Sequence, residues 1–125
     1  MNHRVLLAGC DAATTDTCQS CLVGNGYHVD IANDGLDCWS KLTSEPPAAV
    51  VLGGNLKWGG ADGVISRLRE EWGDSTVPVI LIPDQDTPED AYDAAADPIV
   101  ARLSIPVRAS ALMECLGQIE RRSPI

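Results

Sequence analysis

The sequence predicts an α/β fold, a doubly wound five-stranded parallel sheet with helices on both faces. Three observations predict it. Short apolar runs rich in β-branched residues recur along the chain, as in strands that are buried on both faces. Amphipathic segments of about 10–15 residues separate these runs and indicate βαβ units with right-handed crossovers. The length of 125 residues, without a repeat or linker, indicates one domain over residues 1–125, folded from about residue 3 to about residue 122.

The first strand is predicted at residues 4–9, an apolar run that ends shortly before Asp11. Aspartate is a favoured N-cap, so a helix is expected over residues 12–24, and the glycines at its end stop it. Helical spacing assigns its core-facing side chains. They are Thr14, Thr17, Cys18, Cys21 and Leu22.

The second strand is predicted at residues 27–32, which alternate as in an edge strand with Val29 and Ile31 facing the core. The Asn-Asp-Gly turn at residues 33–35 then caps a second helix. Its expected inner face is formed by Leu36, Cys38, Trp39 and Leu42.

The third strand is predicted at residues 48–52, a continuous apolar run that Gly53 and Gly54 close. A helix over residues 63–72 and a fourth strand over residues 77–82 follow. The side chains that this helix is expected to bury are Val64, Ile65, Leu68 and Trp72.

The last two helices flank a fifth strand, which is predicted at residues 99–103. The helix before it spans residues 88–96, because Pro88 suits a first helical position. The helix after it spans residues 109–121. Its expected core-facing side chains are Leu112, Met113, Leu116 and Ile119.

The charge of the chain excludes two classes of partner. The formal net charge is -9 and the isoelectric point is about 4.4. Nucleic-acid surfaces need clustered Lys and Arg, and anionic membranes repel an acidic surface, so neither partner is expected. No apolar run approaches the roughly 20 residues that a membrane-spanning helix needs.

The five cysteines are scattered and do not form a disulfide framework. Free thiols indicate a reducing compartment, so a cytoplasmic location is expected. Cys18 and Cys21 have the C-x-x-C spacing, but they lie inside the first predicted helix instead of at its N-terminus. We therefore interpret them as small buried side chains and not as a redox or metal site.

The carboxyl ends of parallel strands form the functional edge of such a sheet. No Ser/His/Asp or Cys/His constellation converges there, and His3 and His28 belong to the opposite edge. We therefore expect no catalytic residue, no metal site, no cofactor and no enzymatic activity.

The order and spacing of several short motifs over residues 4–119 resemble the receiver domain of bacterial two-component response regulators. These motifs are RVLL at 4–7, GYHV at 26–29, ANDGL at 32–36, NL at 55–56, DG at 62–63, VPVI at 77–80 and Pro106. The resemblance implies a CheY-like, flavodoxin-like (βα)5 fold with strand order 2-1-3-4-5. It also implies a role in two-component signal transduction or a phosphorelay.

The function of that family depends on five side chains. Two adjacent acidic residues hold Mg²⁺, an Asp accepts the phosphoryl group, and a Thr or Ser and a Lys stabilise it. The resemblance places other residues at these positions, namely Gly9, Cys10, Gly53, Pro83 and Ile105. Asp11 and Asn55 complete this degenerate pocket. The chain is therefore expected to be a pseudo-receiver, an interaction module that works without phosphorylation.

The expected partner is another signalling protein or a second copy of the chain. In the family, the face formed by the fourth helix, fifth strand and fifth helix makes such contacts. Acidic and basic side chains divide this face here, and a two-fold dimer could pair them. The candidate contacts are Glu89, Asp90, Asp93, Arg102 and Arg108. The open alternative is a solvated acidic helix. Trp58 either anchors a partner or folds over the pocket.

Two other functions remain open at this stage. The glycine-lined crevice with Cys10 could serve as a small-ligand or redox sensor. A phosphoryl group could also be accepted atypically, for example on Asp11 or Asp84. Finally, the resemblance implies a cis peptide bond before Pro106, because the family commonly has one there.

Overall fold

The computed structural model describes residues 3–54, 64, 67, 70, 77–82, 99–104 and 106–122. They contain five strands: β1 (Arg4–Ala8), β2 (His28–Ala32), β3 (Ala49–Gly53), β4 (Val79–Ile82) and β5 (Ile99–Arg102). The helices with described bounds are α1 (Ala12–Gly24), α2 (Gly35–Ser44) and the C-terminal helix (Ala109–Arg122). Val64, Arg67 and Glu70 are also helical, in agreement with the helix predicted over residues 63–72. The helix predicted over residues 88–96 lies outside the described residues.

The five strands form one parallel sheet in the order β2-β1-β3-β4-β5, which confirms the predicted fold class. The strand bounds differ from the predicted ones by one or two residues. β4 begins at Val79 because Pro78 has no N–H for the ladder, although the Pro78 carbonyl accepts from the Val50 N–H at 3.0 Å. β3 extends to Gly53, which pairs with Ile82.

Buried side chains lie on both faces of the sheet, and each face has its own helices. On the α1 side, α1 and the C-terminal helix pack on the sheet through Cys18, Leu22, Leu112, Leu116 and Ile119. On the α2 side, the sheet packs against Cys38, Leu42 and Val64. β3 is buried throughout, as its continuous apolar sequence predicts.

Aspartates begin both N-terminal helices. The Asp11 Oδ1 accepts the Thr14 N–H at 2.7 Å, and the Asp34 Oδ1 accepts the Asp37 N–H at 2.8 Å. Each carboxylate satisfies a helical N–H that has no intrahelical partner. The predicted caps are therefore confirmed. Among the described residues, no helix is both long enough and apolar enough to cross a membrane.

Several of the described side chains are more exposed than the sequence pattern predicts. Thr17 is exposed, and its hydroxyl donates to the Ala13 carbonyl at 3.0 Å, because α1 contacts the core through the narrower stripe of Thr14, Cys18 and Leu22. Cys21 is only half-buried for the same reason. Leu36 is 65% exposed in the first turn of α2. Ile31 is 40% exposed because β2 has a neighbouring strand on one side only.

Candidate functional site

The C-terminal edge of the sheet brings together the ends of β1 and β3. Gly9, Cys10 and Asp11 follow β1, and Gly53 ends β3 beside them. The other predicted pocket positions are Asn55, Pro83 and Ile105, and they lie outside the described residues. The structure therefore describes the half of the predicted pocket that surrounds the end of β3.

Gly53 lies against the backbone that leaves β1. A Cβ atom added at Gly53 would lie 2.3 Å from the Gly9 carbonyl oxygen and 2.8 Å from the Cys10 nitrogen. Gly9 has a φ of 75°, a conformation that favours glycine, and this directs the chain across the end of β3. Position 53 therefore has no space for any side chain while Gly9 and Cys10 keep this path.

The Cys10 thiol is half-buried against the core of the α1 side. Its Sγ lies 4.0 Å from the Ala8 carbonyl oxygen. Burial, together with smaller effects of the neighbouring Cys18 and Asp11, raises the pKa of Cys10 to about 12. Since the thiolate is the reactive form, a thiol that stays protonated at neutral pH is a poor nucleophile and a poor metal ligand.

The Asp11 carboxylate is exposed and bonded to the first turn of α1. The hydrogen bond from the Thr14 N–H lowers the pKa of this carboxyl below its usual value, so Asp11 is charged at neutral pH. The part of the chain that the structure describes contains no group of three or more His, Cys, Asp or Glu side chains arranged to hold a metal ion. Asp11 thus has a structural role as a helix cap.

The other cysteines are packing residues. Cys18 is fully buried, and burial raises its pKa to about 11. The Cys21 Sγ lies 3.7 Å from the Ala109 carbonyl oxygen, so it joins α1 to the start of the C-terminal helix. Burial also raises the pKa of Cys21. Cys18 thus agrees with the interpretation as a small buried side chain, whereas Cys21 is only half-buried.

The predicted interface is described only in part. Trp58, Glu89, Asp90 and Asp93 lie outside the described residues. Arg102 is half-buried on β5, and Arg108 is exposed directly before the C-terminal helix. Pro106 is exposed in a bend, but its preceding peptide bond includes Ile105, which is outside the described residues. The electrostatic pairing of this face and the cis bond therefore stay predictions.

Sequence reasoning missed an ion pair beside β2. The Lys41 Nζ donates to the Ile31 carbonyl at 2.7 Å, and the Asp37 Oδ2 accepts the Asn33 N–H at 2.9 Å. Lys41 and Asp37 are also paired with each other, at 3.3 Å. The Asp-to-Lys spacing of four residues on α2 was the available signal. That spacing predicts an ion pair, but not its contact with the strand.

A second missed contact lies near the end of the sheet where β1 and β2 begin. The Arg4 Nε donates to the Asp30 Oδ2 at 2.6 Å, and the Arg4 guanidinium also donates to the Glu45 carbonyl. The register sets Arg4 beside His28, so Asp30 is its diagonal neighbour on β2. This contact joins β1, β2 and the end of α2.

No protein-family model and no curated protein sequence matches the chain. Solved structures do match it along nearly its whole length. The signal receiver domain of an HD domain-containing protein from Pseudomonas fluorescens has a TM-score of 0.81 at 18% identity, covering 97% of this chain and 96% of its own. The signal receiver domain of a response regulator from Bermanella marisrubri has a TM-score of 0.80 at 21% identity, covering 96% and 99%.

A third similar structure is that of the chemotaxis response regulator CheY4 of Vibrio cholerae. Its TM-score is 0.79 at 17% identity, and the match covers 95% of this chain and 99% of that chain. At such identities the comparison establishes the architecture alone. The chain has the fold of a response regulator receiver domain.

Proposed function

We propose that this receiver-fold domain is a phosphorylation-independent signalling module, which acts by binding another protein and has no enzymatic activity. The observation that carries the proposal is the contact at the end of β3, where the Gly9 carbonyl fills the space in which a side chain of residue 53 would begin. A phosphoryl acceptor needs a nucleophilic oxygen at that point, and glycine offers none.

The chemistry of the neighbouring groups supports the same proposal. Acyl phosphate formation in this fold needs Mg²⁺, and hard cations are held by clustered oxygen ligands. Of the three residues that follow β1, Asp11 alone carries a carboxylate, and this carboxylate caps α1. The protonated Cys10 thiol adds no negative charge. Pro83 and Ile105 follow β4 and β5 in the sequence and supply neither a hydroxyl nor an ammonium group.

The partner that we propose is a second signalling protein or another copy of this chain, bound through the face that includes β5 and the C-terminal helix. Arg102 and Arg108 on this face are basic, whereas the segment between β4 and β5 is rich in acidic residues. Such a division of charge favours pairing with an oppositely charged surface. Five free thiols suit a reducing compartment, so we propose that the domain acts in the cytoplasm.

A titration followed by two-dimensional amide NMR tests the proposal. We expect that Mg²⁺ followed by beryllofluoride, a mimic of the phosphoryl group, leaves the amide signals of Gly9–Asp11 and Gly53–Gly54 unshifted. A receiver domain that carries an acceptor aspartate is the positive control under the same conditions. Saturable shifts confined to these residues would contradict the proposal and would also reveal an atypical acceptor such as Asp11.

The alternative of a ligand or redox sensor gains no support from the described residues. The Gly9 and Cys10 backbone occupies the space beside Gly53, and burial keeps the Cys10 thiol protonated.

A further inference from the structure

β2 is an outer strand of the sheet, so its outward backbone groups face no neighbouring strand. The His28 N–H donates inward to the His3 carbonyl at 2.8 Å. Backbone groups alternate in direction along a strand, so those of Val29 and Ile31 point away from β1. An exposed edge of this kind is a template for pairing with another chain.

The ion pair on α2 lies across this edge. Lys41 occupies the outward carbonyl of Ile31 at 2.7 Å, and Asp37 occupies the outward N–H of Asn33 at 2.9 Å. The Ile31 carbonyl and the Asn33 N–H are successive outward groups of this edge, and an added strand would form hydrogen bonds with groups of this kind. The Asp37 and Lys41 side chains, one helical turn apart, therefore form hydrogen bonds with β2 that a neighbouring strand would otherwise form.

We infer that the Asp37–Lys41 pair prevents the exposed edge of β2 from pairing with β2 of a second copy of this chain. This device goes beyond the function proposed above and does not depend on it. Charged side chains, lysine above all, are a common means by which proteins protect edge strands. Here the charged groups of Lys41 and Asp37 form direct hydrogen bonds with backbone groups of the edge, in addition to keeping the edge hydrated.

A second copy is the occupant that fits this edge, because β2 is self-complementary about Asp30. An antiparallel arrangement with a two-fold axis at Asp30 sets Val29 opposite Ile31 of the second copy, and both outward backbone pairs would hydrogen-bond. Ile31 is 40% exposed and would gain an apolar neighbour. In the free chain, the Lys41 ammonium lies on the Ile31 carbonyl that this arrangement needs.

Asp30 adds a second barrier to this pairing. Its carboxylate would face Asp30 of the second copy, and like charges directly opposite each other are destabilising. Arg4 lies at 2.6 Å from this carboxylate and offsets part of that repulsion. Lys41 is therefore the residue whose removal is expected to open the edge.

The decisive comparison is Lys41→Met against Lys41→Arg, with the molar mass of each measured by light scattering after size-exclusion chromatography. Methionine keeps a long aliphatic side chain without the charge, whereas arginine keeps the cationic donor. We expect Lys41→Met to double the molar mass relative to the wild type and Lys41→Arg to leave it unchanged. In the Lys41→Met dimer, the Val29 and Ile31 amides should become protected from hydrogen exchange.

Two results would overturn the inference. One is a folded Lys41→Met variant that keeps the wild-type mass at every concentration. The other is association of that variant without protection of the Val29 and Ile31 amides, because the contact would then lie elsewhere.

Hydrogen exchange of the wild-type chain tests the protection of the β2 edge by Asp37 and Lys41 without any substitution. The Asn33 amide donates to Asp37, so we expect it to exchange about tenfold or more slowly than the outward amide of Val29. Equal exchange at Asn33 and Val29 would overturn the inference, even if the Lys41→Met variant failed to fold.

Discussion

At the scale of single residues, the close contact between Gly53 and Gly9 determines which side chains the end of β3 can carry. Both positions need glycine, but for different reasons. Gly9 has a positive φ, and Gly53 has backbone atoms where its Cβ would be. Since protein interiors tolerate little overlap, the restriction at Gly53 is steric.

We expect Gly53→Ala to lower the free energy of unfolding by about 1–3 kcal/mol, because the added methyl group must displace the Gly9–Cys10 backbone. Urea denaturation measures the change. The matched control is Gly24→Ala at the end of α1, where an added Cβ meets nothing within 4 Å. Equal stability of the two variants would contradict the close approach of β1 and β3.

The sequence analysis identified Gly53 as a pocket position, but it did not predict that the backbone of Gly9 leaves no space for a side chain there. The pattern indicated a position without a nucleophile, whereas the occupied space depends on β1 and β3 being neighbours and on the path of the chain after Ala8. Such a contact joins residues that are far apart in sequence. No local pattern carries that information.

At the scale of elements, the helix starts were predictable and the faces of the helices less so. Asp11 and Asp34 act as caps through their own neighbours, so the information is local. The exposure of Leu36 depends on how α2 lies on the sheet, and periodicity alone does not determine that. The contact of Lys41 with Ile31 was missed for the same reason.

The cap of α2 provides a test at this scale. We expect Asp34→Ala to lower the free energy of unfolding by about 1 kcal/mol, since the Asp37 N–H loses its acceptor. Asp34→Asn is the matched control, because its amide oxygen can still accept that hydrogen bond. Thermal or urea denaturation measures both variants, and an equal loss of stability in the two would argue against a capping role.

At the scale of the whole molecule, the fold is that of receiver domains, and β3 ends in a residue without a side chain, Gly53. A sheet in the order 2-1-3-4-5 and a core on each face follow from apolar patterning. That patterning does not depend on which residues stand at the ends of the strands, such as Gly9 and Gly53. Fold and function are thus specified by different residues.

The buried thiols predict how the stability of the whole domain depends on pH. Burial raises the pKa of Cys10 and Cys38 to about 12, from an ordinary value of 9.0. Above pH 9.0 the unfolded chain therefore releases thiol protons that the folded chain keeps, and stability falls as the pH rises.

We expect the free energy of unfolding to decrease as the pH rises from about 9 towards about 12, and to decrease less steeply in the Cys38→Ala variant. Urea denaturation at each pH gives the slope for the wild type and the variant. Parallel slopes for the two proteins would show that Cys38 titrates alike in the folded and unfolded states.

The meeting of Gly9 and Gly53 also has a genetic consequence. A single base separates a glycine codon from an aspartate codon, so an acceptor carboxylate at position 53 is close in mutational terms. The Gly9 carbonyl lies where the Cβ atom of that aspartate would be, so the backbone after β1 would have to move before aspartate could be accommodated. The shortest mutational path therefore passes through a less stable variant, and selection for stability would act against it.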